Sequence, residues 1–197
     1  MKKIILFLFE GVELLEVATF TDIFGWNSIV GSKDIILETL SYKERIKCSW
    51  GGELSVNKVI NSENMEDFFE YDALVVPGGF GKYNFFKDKN NEIFKNLVSY
   101  FFENNKYIVG ICSGVLNLLA TNSIKNRKIT TYLLDNKRYF NQLKNYDIQA
   151  VEKEICIDSN LLTCSGPGNS LEIALILLEL FSNKENREKV QKNMFIK

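Results

Sequence analysis

Residues 106–120 change from a strand pattern to a helix pattern within two positions, and the change falls at Cys112. Residues 107–111 form a continuous apolar run, as is typical of a central parallel strand that is covered on both faces. The small residues Ser113 and Gly114 follow and allow the backbone to reverse sharply into a helix. This strand–turn–helix arrangement predicts a nucleophile elbow, which would hold the side chain of Cys112 out from the edge of a sheet.

The predicted position of Cys112 favours its ionised form. At an elbow the thiol faces the free N–H groups and the positive end of the helix that follows, and both lower the pKa of a thiol. The alternative is a buried structural cysteine, the commonest fate of a free cysteine.

The same alternation of apolar runs and helical spacing covers most of the chain. Predicted strands span residues 4–9, 35–40, 73–76, 107–111, 128–131, 147–151, 155–158 and 161–164, with a short hairpin at 47–59. Predicted helices span residues 12–26, 64–69, 92–103, 114–120, 137–144, 170–181 and 185–192. We therefore expect one α/β domain over residues 1–197, with a doubly wound, mostly parallel sheet and helices on both faces.

Charge and hydropathy limit the classes of partner. The chain has 24 Lys and Arg against 25 Asp and Glu, and these charges are interspersed, so no nucleic-acid partner is expected. The apolar runs are too short to cross a bilayer, so no membrane partner is expected. The amino terminus lacks the ordered regions of a secretory signal, and a cytoplasmic location is predicted.

The chain contains no histidine, which restricts its chemistry. Its four cysteines form no C-x-x-C pair, so neither a zinc site nor another metal site is expected. Every Cys–His or Ser–His pair is also excluded. Any reaction must therefore use cysteine, carboxylate, tyrosine, lysine or backbone groups.

The loops after the predicted strands should meet at one edge of the sheet, where ligands bind in doubly wound folds. After the first strand, Glu13 and Glu16 lie three residues apart and could share a helix face, with one carboxyl beside the thiol. A protonated carboxyl would donate a hydrogen bond to the thiolate, whereas an ionised one would act as a base. The alternative is a solvated helix face.

Two glycine clusters follow other strands. The backbone N–H groups of Gly78 and Gly79, together with that of Ser113, could form an oxyanion hole, although Pro-Gly-Gly segments are usually plain turns. In residues 163–169, the glycine spacing matches no phosphate-binding pattern and indicates a tight turn, with Asn169 or Ser170 capping the next helix.

Several segments together resemble the DJ-1/PfpI (ThiJ/PfpI) superfamily, whose fold is similar to that of class I glutamine amidotransferases and is flavodoxin-like. They are residues 9–16, 76–79, 110–114, 129–131 and 163–172, the last of which points to the DJ-1 branch. The resemblance implies a reactive Cys112 hydrogen-bonded to Glu16, with the amides of Gly79 and Ser113 at an anion site. It also implies a homodimer with an interface near the first helix and the pocket.

The activity implied by this resemblance is cofactor-free and of glyoxalase or deglycase type, on a small electrophile. Alternatives are a redox-stress sensor that works through oxidation of Cys112, an isonitrile hydratase, and a PfpI-type peptidase or amidase. Pocket residues implied by the resemblance are Tyr132, Gly166 and Pro167.

The chain departs from the family pattern at three positions. Tyr132 stands where the family often has histidine, so peptide hydrolysis is disfavoured, because the leaving amine lacks its usual proton donor. Trp26 and Trp50 replace two arginines that are common in the DJ-1 branch, which indicates a smaller or more apolar ligand.

Overall fold

The computed structural model describes residues 1–196. In chain order the elements are β1 (Lys2–Phe7), α1 (Leu14–Val30), β2 (Ile35–Ser41), β3 (Arg45–Lys47), β4 (Glu53–Ser55), β5 (Lys58–Val59), β6 (Ala73–Val76), α2 (Glu92–Glu103), β7 (Tyr107–Ile111), α3 (Gly114–Ala120), β8 (Lys128–Ile129), β9 (Gln149–Ala150), β10 (Ile155–Asp158), β11 (Leu161–Cys164), α4 (Ser170–Phe181) and α5 (Lys184–Asn193). Short 3-10 helices lie at Ser49–Gly51, Met65–Phe68, Gly81–Tyr83, Phe140–Asn145 and Pro167–Asn169.

A seven-stranded sheet forms the centre of the molecule, in the order β10-β11-β7-β6-β1-β2-β5. All neighbouring strands are parallel except β10, which pairs antiparallel with β11 at the sheet's edge. The carboxyl ends of β1, β6 and β7 therefore lie side by side, and the loops after them meet at one edge.

Both faces of this sheet are buried. Along β1, Ile4 and Leu6 pack into the core beneath α1, α4 and α5, while Ile5 and Phe7 pack into the core beneath α2 and α3. This alternation follows from the two-residue period of a strand, and it explains why the sequence of β1 is apolar at every core position. The predicted α/β fold, mostly parallel and with helices on both faces, is confirmed.

Most predicted elements occur where the sequence indicated, and some of them differ in bounds or type. Helix α1 begins at Leu14 instead of residue 12 because Val12 forms bridges with Cys48 and Gly79. The helix predicted at 137–144 is a 3-10 helix at Phe140–Asn145, which carries no long apolar stripe. No helix in residues 1–196 combines the length and the apolar character needed to cross a bilayer.

Candidate functional site

Cys112 forms the sharp connection between β7 and α3. Its φ angle is +51°, a left-handed conformation that is costly for a residue with a Cβ atom. Two hydrogen bonds hold this conformation: the Cys112 N–H donates to the carbonyl oxygen of Cys164 at 2.8 Å, and Thr131 Oγ1 donates to the Cys112 carbonyl oxygen at 2.5 Å. Both backbone polar groups of Cys112, its N–H and its carbonyl oxygen, are therefore hydrogen-bonded to other segments of the chain.

Glycine at two positions allows the loop after β6 to lie directly against the elbow. A Cβ atom on Gly78 would lie 2.9 Å from Cys112 Cβ and 3.0 Å from the Ser113 nitrogen. A Cβ atom on Gly114 would lie 2.5 Å from the carbonyl oxygens of Val76 and Pro77. These distances are shorter than ordinary contacts, so a side chain at either position would force the loop and the elbow apart.

Ser113 fastens the same loop from the elbow side. Its buried hydroxyl donates a hydrogen bond to the Gly79 carbonyl oxygen at 2.7 Å. The same hydroxyl oxygen accepts a hydrogen bond from the Gly79 N–H at 2.9 Å. The amide of Gly79 is thus satisfied by a side chain in this structure.

Of the two glutamates after β1, Glu16 points inward. It lies in the first turn of α1 with no exposed surface, and its Oε2 accepts a hydrogen bond from the Gly78 N–H at 2.5 Å. Its Oε1 is buried without a hydrogen-bond partner within residues 1–196. Glu16 and Cys112 line the same small cavity, so the carboxyl with this free oxygen lies next to the thiol.

Burial raises the pKa of Glu16 from 4.5 to about 8, because an ionised carboxylate loses its hydration there. The Gly78 N–H and, more weakly, the adjacent Cys112 side chain oppose this shift, and the negative charge of Glu13 adds to it. Glu16 therefore holds a proton at neutral pH. A protonated carboxyl has one O–H donor, and the unpartnered Oε1 is the atom available to carry that proton.

The pKa of Cys112 lies well above the ordinary thiol range, mainly because of burial and secondly because of the charge that Glu16 carries when ionised. The Ser113 N–H acts in the opposite direction but does not compensate. The sequence predicted a lowered pKa, and this prediction is corrected: helix α3 has only seven residues, and the thiol is removed from water.

Gly78 was expected to present its N–H group to a ligand, with Gly79 and Ser113. In the structure the Gly78 N–H instead holds Glu16, and the Gly79 N–H is directed at the Ser113 hydroxyl. The Ser113 N–H is the member of this predicted set that faces the thiol.

The cavity beside the thiol has a volume of about 100 Å³. Its lining comprises Glu13, Glu16, Gly79, Phe80, Cys112, Tyr132, Tyr139 and Pro167. Gly166 lies behind this lining, where a Cβ atom would be 3.6 Å from the Tyr132 ring. Within residues 1–196, no three Cys, Asp or Glu side chains converge as a metal ion would require.

The sequence profile of the DJ-1/PfpI family matches residues 2–180. The chain belongs to the DJ-1/PfpI family. It is 26% identical to the glutathione-independent glyoxalase DJ-1 of Schizosaccharomyces pombe over 199 residues, which cover 98% of each chain. It is 30% identical to protein DJ-1 homolog B of Arabidopsis thaliana over 116 residues, which cover 58% of this chain but 25% of that protein. The crystal structure of Drosophila melanogaster DJ-1beta superposes with a TM-score of 0.84 at 22% identity, covering 100% of this chain and 98% of that one, which shows the shared fold.

Trp50 packs beside the cavity of this DJ-1/PfpI protein. The Trp50 ring lies 4.8 Å from the Phe80 ring, and Trp50 Nε1 donates to Glu13 Oε2 at 3.1 Å. Neither tryptophan lines the cavity itself, but Trp50 contacts two residues that do, whereas Trp26 is exposed on α1. Of the two tryptophans singled out in the sequence, only Trp50 therefore stands near the site.

Two lining residues of this DJ-1/PfpI site were missed by sequence reasoning. Phe80 directly follows Gly79, so its place in a strand-end loop could have indicated it. Tyr139 lies in a segment without a motif and reaches the cavity through tertiary packing, with its ring 6.2 Å from that of Tyr132.

Proposed function

We propose that this protein is a cofactor-free enzyme of glyoxalase type that converts small α-oxoaldehydes to 2-hydroxy acids, with Cys112 as nucleophile and Glu16 as proton carrier. The observation that carries the proposal is the buried Glu16, whose unpartnered Oε1 adjoins the strained, cavity-facing Cys112. The full-length similarity to a protein named as a glutathione-independent glyoxalase supports it.

In the first step, the Cys112 sulfur forms a bond to the aldehyde carbon. The reacting form is the one in which Glu16 is ionised, which becomes populated as the pH approaches about 8. In this form Glu16 accepts the thiol proton and passes it to the aldehyde oxygen, which gives a hemithioacetal and returns Glu16 to its carboxylate form. The Ser113 N–H, which faces the sulfur, is placed to stabilise charge that develops close to it.

In the second step, Glu16 removes the hydrogen of the former aldehyde carbon as a proton, which leaves an enediolate. Glu16 returns this proton to the neighbouring carbon while the hydroxyl proton moves to the second oxygen, so a thioester remains. Water then cleaves the thioester, releasing the 2-hydroxy acid and regenerating the thiol. One carboxyl that can gain and lose a proton near pH 8 serves each transfer.

The size of the cavity limits the reacting part of the substrate. A volume of about 100 Å³ corresponds to about three water-sized groups. The reacting carbons of a small dicarbonyl compound fit this space. The absence of histidine disfavours peptide cleavage.

The test is formation of 2-hydroxy acid from methylglyoxal. We expect Cys112→Ala to abolish turnover and Glu16→Gln to lower it by about 10²- to 10⁴-fold, the usual contribution of a general acid–base group. Cys156→Ala, which changes a buried cysteine in the edge strand β10, is the matched control and should retain full activity. Equal turnover by the native and Cys112→Ala proteins would overturn the proposal.

A second candidate function is sensing of peroxide, and the protonated state of Glu16 favours it. The carboxyl O–H could donate to a sulfinate oxygen on Cys112 and so halt oxidation at that stage. Mass spectrometry after peroxide treatment would then show two oxygens on Cys112 and further oxidation in the Glu16→Gln protein. A sensor should do so without turnover of methylglyoxal.

We also propose a homodimer that uses the outer face of α1. Leu15, Trp26 and Ile29 are exposed on this helix, and Ile29 has 68% of its surface accessible. Light scattering should give twice the chain mass, and Ile29→Glu should shift it toward the monomer. Leu134→Glu, at an equally exposed residue outside α1, should leave the dimer intact.

A cytoplasmic location remains part of this proposal. All four cysteines are free thiols, as is usual in a reducing compartment.

A further inference from the structure

A second and larger cleft adjoins the cavity of Cys112. Its volume is about 450 Å³, and it shares Phe80 and Tyr139 with the smaller cavity. These two aromatic residues therefore form the boundary between the two spaces. A ligand that occupied both spaces would have to pass these two side chains.

All the charged residues that line the larger cleft are basic. Lys82, Lys89 and Arg138 line it, and none of its lining residues is acidic. Composition does not explain this, because the whole chain has a formal net charge of -1. The cleft is thus a local concentration of cationic groups in a slightly acidic protein.

Among the described residues, the two lysines of the cleft lack carboxylate partners, although Lys82 also borders a separate cleft that contains Glu10 and Glu53. Neither Lys82 nor Lys89 forms an ion pair with a carboxylate in residues 1–196. Cationic side chains that stand together without a counter-charge attract an anion, because their mutual repulsion is relieved when it binds.

Arg138 is held at the boundary. It forms an ion pair with Asp135 Oδ2 at 3.1 Å, its guanidinium lies 4.7 Å from the Tyr139 ring centre, and its NH2 group donates to the Tyr139 hydroxyl at 3.1 Å. These contacts place the largely exposed guanidinium beside the residue shared by both spaces. A planar donor at this position suits a carboxylate or phosphate oxygen.

We propose that the cleft of Lys82, Lys89 and Arg138 binds an anionic group, carboxylate or phosphate, at the far end of the substrate whose carbonyl reacts at Cys112. This inference rests on the proposed function and names its substrate class as aldehydes with an anionic tail. The small cavity holds the reactive carbons, the Phe80 and Tyr139 rings flank the connecting chain, and the cationic cleft holds the charge.

The test uses iodoacetyl probes with the same linker, ending in a carboxylate, a phosphonate or a neutral amide. The rate of Cys112 alkylation is measured for each at low salt. We expect the anionic probes to react about three- to tenfold faster than the amide, as a few partly exposed charge contacts allow. Comparison of the carboxylate and phosphonate probes identifies which anion the cleft prefers.

The preference should fall in Lys82→Gln and Lys89→Gln, fall further in Lys82→Glu, and decline at high salt. Lys125→Gln, which changes an exposed lysine outside the cleft, is the control and should retain the preference. Equal rates for all three probes in the native protein would overturn the proposal that the cleft binds an anionic group. Such a result would not affect the proposal that Cys112 is the nucleophile.

A second measurement keeps the inference testable if Cys112 itself proves unreactive. Inorganic phosphate is titrated into the Cys112→Ala protein while amide NMR shifts are followed. Shifts that saturate at residues 80–89 and 138–146, and that are lost in the Lys82→Gln and Lys89→Gln double variant, support the cleft. Their absence would overturn it, independently of any reaction at Cys112.

Discussion

The Gly78 N–H donates to Glu16 Oε2, and this bond leaves Oε1 as the buried oxygen without a partner. The contact therefore decides which atom of the carboxyl can carry its proton beside Cys112. It also joins the loop after β6 to the first turn of α1, so the position of the proton depends on two separate parts of the chain.

The reactivity of Cys112 should increase as the pH rises through about 8. Below this pH, Glu16 is protonated and the thiol, whose own pKa is raised, is neutral. Loss of one proton from the Glu16–Cys112 pair gives one of two states. Either Glu16 is ionised and can act as a base for the thiol, or Cys112 is a thiolate that accepts a hydrogen bond from the protonated carboxyl. The rate of iodoacetamide alkylation between pH 6 and 10 measures this, with Cys112→Ala as background. A midpoint below pH 7 would contradict the raised pKa of Glu16.

Glu16→Gln should stabilise the protein at neutral pH. The unfolded carboxyl ionises above pH 4.5 whereas the folded one stays protonated to about pH 8, so native stability falls as the pH rises between these values. Glutamine does not ionise, and its gain at pH 7 should be about 3 kcal/mol, decreasing toward zero near pH 4. Urea unfolding at the two pH values checks the difference. An equal effect at both would show that ionisation of Glu16 is not involved.

Gly78→Ala should destabilise the protein by about 1–3 kcal/mol, because the new methyl group would press on Cys112 Cβ and on elbow backbone. Gly25→Ala is the matched control. A Cβ atom at Gly25 meets no atom within 4 Å, and the residue lies inside α1, so alanine should stabilise by about 0.5–1 kcal/mol. The free energy of unfolding in urea measures both. Equal effects from the two substitutions would refute the close contact at Gly78.

Alkylation of the native protein should select Cys112 among the four cysteines. Cys112 is partly exposed, whereas Cys48, Cys156 and Cys164 are buried. Burial raises the pKa of all four thiols, so access of the reagent decides which cysteine reacts first. Limited treatment with iodoacetamide at pH 8.5, followed by peptide mass spectrometry, should find the label on Cys112 first. Earlier labelling of Cys164 would show that the elbow opens before the cavity admits the reagent.

The sequence was informative wherever the physical cause is local. Residues 73–76 and 107–111 were predicted as strands with their observed bounds, because a short apolar run between turn signals is a local property. The helical spacing of Glu13 and Glu16 likewise indicated that one carboxyl could face inward, although both remained candidates. The elbow at Cys112 followed from neighbouring residues alone.

By itself, then, the sequence determined the α/β fold, the elbow and the short set of residues near it, because periodicity and turn chemistry act over a few residues. Only the tertiary structure decided that Glu16 is the buried carboxyl, that the Gly78 N–H serves Glu16, and that the Cys112 thiol has a raised pKa. It also brought Lys82 and Arg138 to one cleft. Burial and the choice of hydrogen-bond partner depend on contacts between segments that are far apart in the chain, and a local sequence pattern does not predict those contacts.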